Sequence, residues 1–458
     1  MTTAKSANYL KALNARHMWH PMGDPKAAEA DPPLIIERGD GVHVFDVDGR
    51  RYLDCVAALW NVNVGHNRPE IKAAITAQLD RLAYYATFAG TANPPSIELS
   101  ALLADMLAPE GMTKAIFSSG GSDANETAFK IARQYWKLEG QPERTKIIAL
   151  KLGYHGTHFG GMSASGTFAH RRPYEPLVPG FFHIEAPYLY RNPYTDDPAR
   201  LGAICAAELE RAIQFQGPGT VAAFIAEPVQ GAGGVIVPPA NFWPLVREVC
   251  DRTGVLLIAD EVVTGFGRTG ALFGARGWGV KPDIMSLAKG INSGYVPLGA
   301  TLVNARVEAA WQRDHALAGI MHGYTYSGHP LACAAALAAQ KIVIDEDLTA
   351  NARVVGAYFI ERLQALQSRH EVIGEVRGKG LMIALEFVKN RATKEAFTPA
   401  DTFGRRLIKA AQAEGAMLRW QVGKIIISPP LTFTRGHVDE AVAILDRVLA
   451  RTALGDAP

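Results

Sequence analysis

The sequence predicts an α/β protein, with a three-layer domain around a mainly parallel central sheet joined to a smaller α+β domain. Short runs that are apolar throughout recur at Lys146 to Leu150, Val221 to Glu227, Val255 to Asp260 and Asp283 to Leu287, with helical stretches among them. Such runs are strands covered on both faces, and their alternation with helices is the mark of parallel crossovers. After His329-Pro330 the composition turns Ala-rich and helical, and the 458 residues exceed one domain of ordinary size, at roughly 100 to 200 residues each.

Taken in order, residues 1 to 35 scatter Pro21, Pro25, Pro32 and Pro33 among polar residues. That predicts an arm of little regular structure laid over another surface. Val42 to Asp54 alternates around Asp48-Gly49, a dipeptide suited to the positive φ values of a hairpin turn. Helices are expected at Pro69 to Leu82, Ser96 to Leu107 and Ala124 to Leu138, with a strand at Lys114 to Ser118. Beyond 329, residues 349 to 369 put Ala352, Val355, Phe359, Leu363 and Leu366 on one helical face. Strands are expected at Leu381 to Val388 and Lys424 to Ser428. Thr398-Pro399-Ala-Asp401 reads as a helix start, and a last helix carries Val438, Ala441, Val442, Leu445, Val448 and Leu449 on one side. The expected division is residues 1–59 as arm and hairpin belonging to the small domain, 60–328 as the large domain and 329–458 as the rest of the small one.

Composition excludes several classes of function. A formal net charge of +2 demands neither nucleic acid nor anionic lipid. The cysteines at 55, 205, 250 and 333 lie too far apart for a C-x-x-C pair, so neither a disulfide framework nor a metal site is suggested, and buried free thiols are expected. The N-terminus has no apolar core of a signal peptide, and no uncharged apolar run approaches the roughly 18 residues of a membrane span. A cytoplasmic protein without membrane contact is expected.

Five stretches carry chemistry. Phe117 to Glu126 leaves a strand through Gly120, Gly121 and Ser122 into a helix; the free N–H groups of a helix start make a phosphate seat, although a plain βα turn has the same form. Ala259 to Gly270 spaces Gly265, Gly267 and Gly270 as in a dinucleotide fingerprint. The fingerprint needs a helix opening at the glycines, and Ala271 to Gly279 is too glycine-rich to form one, so nicotinamide binding is rejected. What remains is Asp260, at the C-terminal end of a buried strand, where open α/β sheets bind ligands; a structural aspartate is the other reading. Glu227 to Gly234 and Gly153 to Gly156 bring an acid, an amide and aromatic faces to the same edge. Finally, Lys289 ends an apolar run among the glycines at 290, 294 and 299, where it is either a surface charge or a buried, covalently used amine.

Together these parts fit pyridoxal 5'-phosphate (PLP), which needs a Schiff-base lysine, an anion for its pyridinium nitrogen, a phosphate seat and flat contacts for its ring. The pair Asp260-Glu261, Ala288-Lys-Gly-Ile291 farther on and Thr325-Tyr-Ser-Gly-His-Pro330 make the sequence resemble, from about Trp19 to the last helix, the class III, fold-type I PLP-dependent aminotransferases. Among these it resembles the ω-amino acid and amine:pyruvate transaminases. The resemblance implies Lys289 as the Schiff-base lysine, Asp260 at the pyridinium nitrogen, Val262 and Tyr154 on the two ring faces with His155 beside them, and Glu227 and Gln230 on the ring-hydroxyl side. It implies that Gly121 and Ser122 hold the phosphate and that Thr325 completes that site from the partner subunit of a homodimer, on which a tetramer can be built. Gly120 departs from the pattern, since relatives often carry a serine there, so only the backbone donors of the loop are secure.

The same resemblance makes Trp60, Phe88 and Tyr154 an aromatic pocket wall and Arg419 a mobile receiver of the substrate carboxylate, a task suited to a planar bidentate guanidinium. The expected reaction moves an amino group from a small-molecule amine or ω-amino acid to a keto acid, with pyruvate the favoured acceptor. An ornithine-type aminotransferase or a dialkylglycine decarboxylase is the alternative, and Trp60 in the pocket argues against it.

Overall fold

The computed structural model describes residues 6–88, 90–421 and 423–453. The N-terminal sheet comprises β1 (Ile36–Asp40), β2 (His43–Asp46) and β3 (Arg51–Asp54). The central sheet is built from β4 (Met112–Ser118), β5 (Lys146–Leu150), β6 (Phe181–Ile184), β7 (Val221–Ala226), β8 (Leu256–Asp260), β9 (Ile284–Leu287) and β10 (Gly299–Asn304). Its spatial order is β4-β10-β9-β8-β7-β5-β6. β10 runs antiparallel to both neighbours, so the other six strands share one direction. Their C-terminal ends therefore lie along one edge, and β7, β8 and β9 are buried over their whole length, as apolar runs require.

The C-terminal part contributes β11 (Ile373–Lys379), β12 (Met382–Asn390), β13 (Glu395–Ala396), β14 (Ala416–Met417), β15 (Arg419–Trp420) and β16 (Lys424–Ile427). β14 leaves these to pair with β3 in parallel, and Val42, Leu53 and Cys55 share one apolar core with Phe359, Leu363, Leu385 and Leu445. The helix Leu348–Arg369 buries Ala352, Val355, Phe359, Leu363 and Leu366, the face read from the sequence. All four cysteines are free and buried. No helix among the described residues is long and apolar enough to cross a membrane.

Three local expectations are corrected. The arm is not irregular: Ala7–His17 is a helix capped by Ser6 and Pro25–Ala30 one capped by Asp24. Neither buries a residue, so no apolar periodicity announces them. At the hairpin turn only Gly49, not Asp48, takes a positive φ, +80°. No helix starts at Thr398. The Asp401 carboxylate accepts both the Thr398 N–H, at 2.7 Å, and its hydroxyl, at 2.8 Å, which closes a turn, and the helix begins only at Phe403. A carboxylate that bonds backward competes with the helix it was expected to favour.

Candidate active site

The ends of β4, β5, β7, β8 and β9 deliver the sequence-predicted groups to the same edge. β8 ends on Asp260, which is buried and held by three donors. Its Oδ2 accepts Asn125 Nδ2 at 2.7 Å and His155 Nδ1 at 2.8 Å, and its Oδ1 accepts the Val262 N–H at 3.1 Å. An ionised carboxylate only accepts, so His155 carries its proton on Nδ1. Oδ1, with one backbone donor, keeps a lone pair for a further donor.

Beyond β7, Glu227 accepts the Tyr154 N–H at 3.0 Å and the Gly231 N–H at 2.7 Å. Burial pushes its carboxyl above the usual range, opposed by His155 and reinforced by Asp260. Gln230 donates to the Lys151 carbonyl at 2.9 Å, and its Oε1 is a buried acceptor without a partner among the described residues. Beyond β9, Lys289 enters a single 3₁₀ turn with φ +47°. Burial pulls its amine down to about 8, against the opposing pull of Asp260 and Glu227. Its Nζ lies 5.7 Å from the Trp60 ring centroid. Trp60 packs against Gly231, where an added Cβ would meet its ring at 2.4 Å.

At the end of β4, the helix Gly121–Leu138 starts without a side-chain cap. The N–H groups of Gly121, Ser122 and Asp123 donate no hydrogen bond among the described residues, and a Cβ on Gly121 would meet Val262 at 2.8 Å, so only glycine lets Val262 come this close. Ser122 Oγ accepts the Thr157 N–H at 3.2 Å, which leaves its hydroxyl proton to donate. The residues fit PLP: an uncapped helix start for the phosphate, a buried acid with a free acceptor for the ring nitrogen, an orphaned amide oxygen for a hydroxyl, and an amine pulled toward neutrality.

Arg419, on β15, is half-buried, and its guanidinium makes no hydrogen bond or ion pair among the described residues. Its charge is felt by Tyr154, by Lys289 and by His170, whose ring stands edge-on to Tyr154 at 5.9 Å. Phe88 and Thr325 are placed elsewhere in the single chain. Phe88 faces solvent against Gly323, and the exposed Thr325 takes the Tyr84 hydroxyl on its carbonyl at 2.6 Å. That segment is tied to the phosphate-seat helix by the Tyr324 hydroxyl on the Asp123 carbonyl, 3.0 Å, and by His322 against Thr127, 2.8 Å.

Asn125 and His170 were not found from the sequence. Asn125 had a signal, a polar residue between Ala124 and Ala128 on the buried face of its helix. His170 had none, because it belongs to a short helix, Phe168–Arg171, that buries nothing. Glu261 is occupied structurally: it accepts the Gly274 and Ala275 N–H groups at 2.8 and 2.7 Å and the Thr264 hydroxyl. It thereby folds the glycine-rich stretch into turns rather than the helix of a dinucleotide site.

Comparison with known proteins agrees with this geometry. The family model for class-III aminotransferases matches residues 26–449. A putrescine–pyruvate aminotransferase of Pseudomonas aeruginosa is 38% identical over 453 residues, covering 99% of this chain and 98% of that one. A diaminobutyrate–2-oxoglutarate transaminase of Halomonas elongata is 42% identical, covering 91% and 90%. Among solved structures, a PLP-bound amine transaminase from an uncultivated Pseudomonas species is 54% identical with a TM-score of 0.94, covering 95% of this chain and 98% of that one. An (S)-enantioselective ω-transaminase of Thermomicrobium roseum is 44% identical with a TM-score of 0.95, covering 98% and 100%.

Proposed function

This chain belongs to the class-III aminotransferases, which are PLP-dependent, and we propose that within that family it is an ω-aminotransferase that moves an amino group from an amine or ω-amino acid to pyruvate. The observation that carries the reading is the placement of the Lys289 amine, pulled toward neutrality, beside the buried Asp260 carboxylate at the ends of adjacent parallel strands. Bound PLP supplies a ring that withdraws electrons from the substrate carbon next to the nitrogen. The Asp260 Oδ1 lone pair would keep the ring nitrogen protonated, and Asn125 and His155 fix the carboxylate for that task. Lys289, as a neutral amine, would be the residue to hold the cofactor through its aldehyde, with loss of water, and once free again would be the base that accepts the proton from the substrate Cα. Gly121 and Ser122 would hold the phosphate, Val262 and Tyr154 would flank the ring, and Gln230 and Glu227 would meet its hydroxyl side.

Arg419 has no carboxylate of its own to satisfy, so it is free to take that of pyruvate or of an ω-amino acid. Trp60, with Tyr154, forms an apolar wall that fits an uncharged amine. Phe88 and Thr325 face solvent in the single chain, near the exposed Tyr84, Met321 and Tyr326. That arrangement supports a homodimer in which both residues serve the partner's site. The core that joins the N-terminal hairpin to the C-terminal helices supports the division 1–59, 60–328 and 329–458, and four buried free thiols support a cytoplasmic setting.

The test is a half-reaction screen. The purified protein is mixed with a panel of amines, loss of the visible cofactor band is followed, and pyruvate is added to recover it with release of alanine. Lys289→Ala abolishes the borohydride-reducible protein–cofactor adduct; an adduct retained in that variant overturns the assignment.

A further inference from the structure

We propose that Gln340 is a positioning residue for Lys289, its buried carboxamide holding the turn that aims the amine. Gln340 sits fully buried on the helix Pro330–Asp345, about 50 residues from the site in sequence. Its Nε2 donates to the Gly290 carbonyl at 2.9 Å and to the Ile291 carbonyl at 2.7 Å, the two residues that follow Lys289. Among the described residues the turn itself is closed by one backbone bond, Ile291 N–H to the Ala288 carbonyl at 3.0 Å. Lys289 enters it at φ +47° and Ser293 leaves it at +57°, in the left-handed region that residues other than glycine avoid. Such a backbone persists only where its surroundings over-determine it.

The far side of the turn is also closed. A Cβ on Gly290 would meet Asn63 Nδ2 at 2.4 Å, so Asn63 is in close contact there. Asn63 is held by the buried Arg268, Nη2 to Oδ1 at 2.8 Å, and donates to the Phe266 carbonyl at 3.1 Å. The turn is therefore clamped between Asn63 and Gln340.

The clamp bears on catalysis because the turn fixes where the Lys289 side chain starts. Its Nζ makes no hydrogen bond or ion pair among the described residues and has the Trp60 ring at 5.7 Å, so a rotation of the turn carries the amine with it. Gln340 acts only through its N–H groups, since its Oε1 accepts no bond among the described residues. An apolar side chain of equal length would leave the Gly290 and Ile291 carbonyls buried without donors, and the turn would rotate to find others.

This inference rests on Lys289 being the Schiff-base lysine. The test compares holoenzymes of the wild type, Gln340→Met and Gln340→Glu by the pH titration of the visible cofactor band, by kcat and KM, and by thermal midpoint. Gln340→Met is expected to move the midpoint of the band by about one pH unit and to lower kcat about tenfold with KM changed less than about threefold, the pattern of a lost transition-state alignment. Gln340→Glu, protonated in so apolar a place, keeps one donor and the shape of the side chain, so it should fold where Gln340→Met fails and show smaller changes in the same direction. Variants that lose only thermal stability, with band midpoint and kcat as in the wild type, make Gln340 a structural residue and overturn the proposal. An adduct surviving in Lys289→Ala overturns the lysine assignment and this inference together; Lys289→Ala without adduct, beside unchanged Gln340 variants, overturns this inference alone.

Discussion

The depressed basicity of Lys289 can be tested by pH in the cofactor-free protein. An amine lowered from 10.5 to about 8 is neutral in roughly one molecule in ten at pH 7, against about one in three thousand for an ordinary lysine, a ~300-fold gain in reactive form. Mixing the cofactor-free protein with excess PLP and following growth of the visible band, with borohydride trapping to identify the lysine, gives the capture rate at each pH. The rate should rise about tenfold per pH unit up to roughly pH 8 and then level off. Burial is the main cause, and the carboxylates of Asp260 and Glu227 oppose it, so Glu227→Gln should move the break to lower pH. The difference between 10.5 and about 8 corresponds to about 3 kcal/mol of folding free energy. For a lysine whose folded value is depressed, that cost is fully present below pH 8 and is relieved between about 8 and 10.5, as the folded protein loses its proton before the unfolded chain does. Lys289→Met should accordingly stabilise the cofactor-free protein near pH 7 and lose that advantage toward pH 10.5. A capture rate still climbing at pH 10, or a break that moves upward in Glu227→Gln, refutes the reasoning.

Two further outcomes follow from the site. In Asp260→Asn the amide nitrogen must face either the Val262 N–H or the Asn125 and His155 donors. The change removes the anion that would keep the ring nitrogen protonated, so kcat should fall about a hundredfold or more, and near-normal turnover would give the ring nitrogen another partner. Arg419→Ala should weaken use of pyruvate about a hundredfold in kcat/KM, the worth of a charge-assisted bidentate contact, and use of a simple aldehyde far less; equal losses with both acceptors remove the carboxylate role.

What was legible in the sequence was what burial writes into composition. β5, β7, β8 and β9 are apolar because both faces are covered, and their ends delivered Asp260, Glu227 and Lys289 in the expected places. β10 is not announced by the sequence because it opens on Gly299, the last of the glycines spaced after Lys289, and because a reversed strand leaves no crossover helix to mark it. β6 was missed because its first three residues are only half-buried, which leaves no continuous apolar run. The supports of the site were the least legible part. Asn125, Arg268 and Gln340 act through partners from 30 to 205 positions away, a separation that no local pattern records.

Backbone strain also gathers near the site. Among the described residues other than glycine, twelve take positive φ, and six of them are Ala57, Ala58, Trp60, Phe266, Lys289 and Ser293. They lie in segments that touch one another through Asn63, through Ser293 Oγ on the Val64 N–H and through Lys289 over Trp60. Strain gathered around one amine is what a site held in a working geometry looks like, and each such residue costs on the order of 1 kcal/mol or more. Ala58 isolates the effect. Its φ of 56° and ψ of −86° suit glycine, its methyl group is exposed, and its N–H bond to Asp54 Oδ2 at 2.9 Å does not depend on the side chain. Ala58→Gly should therefore raise stability by up to about 1 kcal/mol, against the ordinary loss of about 0.5 to 1 for the same change at a relaxed site. It should also loosen the wall that Trp60 forms, seen as a lower kcat for a small amine with the cofactor still bound. Loss of stability in Ala58→Gly would mean that this turn is relaxed, and the tension around Lys289 would then have to be sought in its own turn alone.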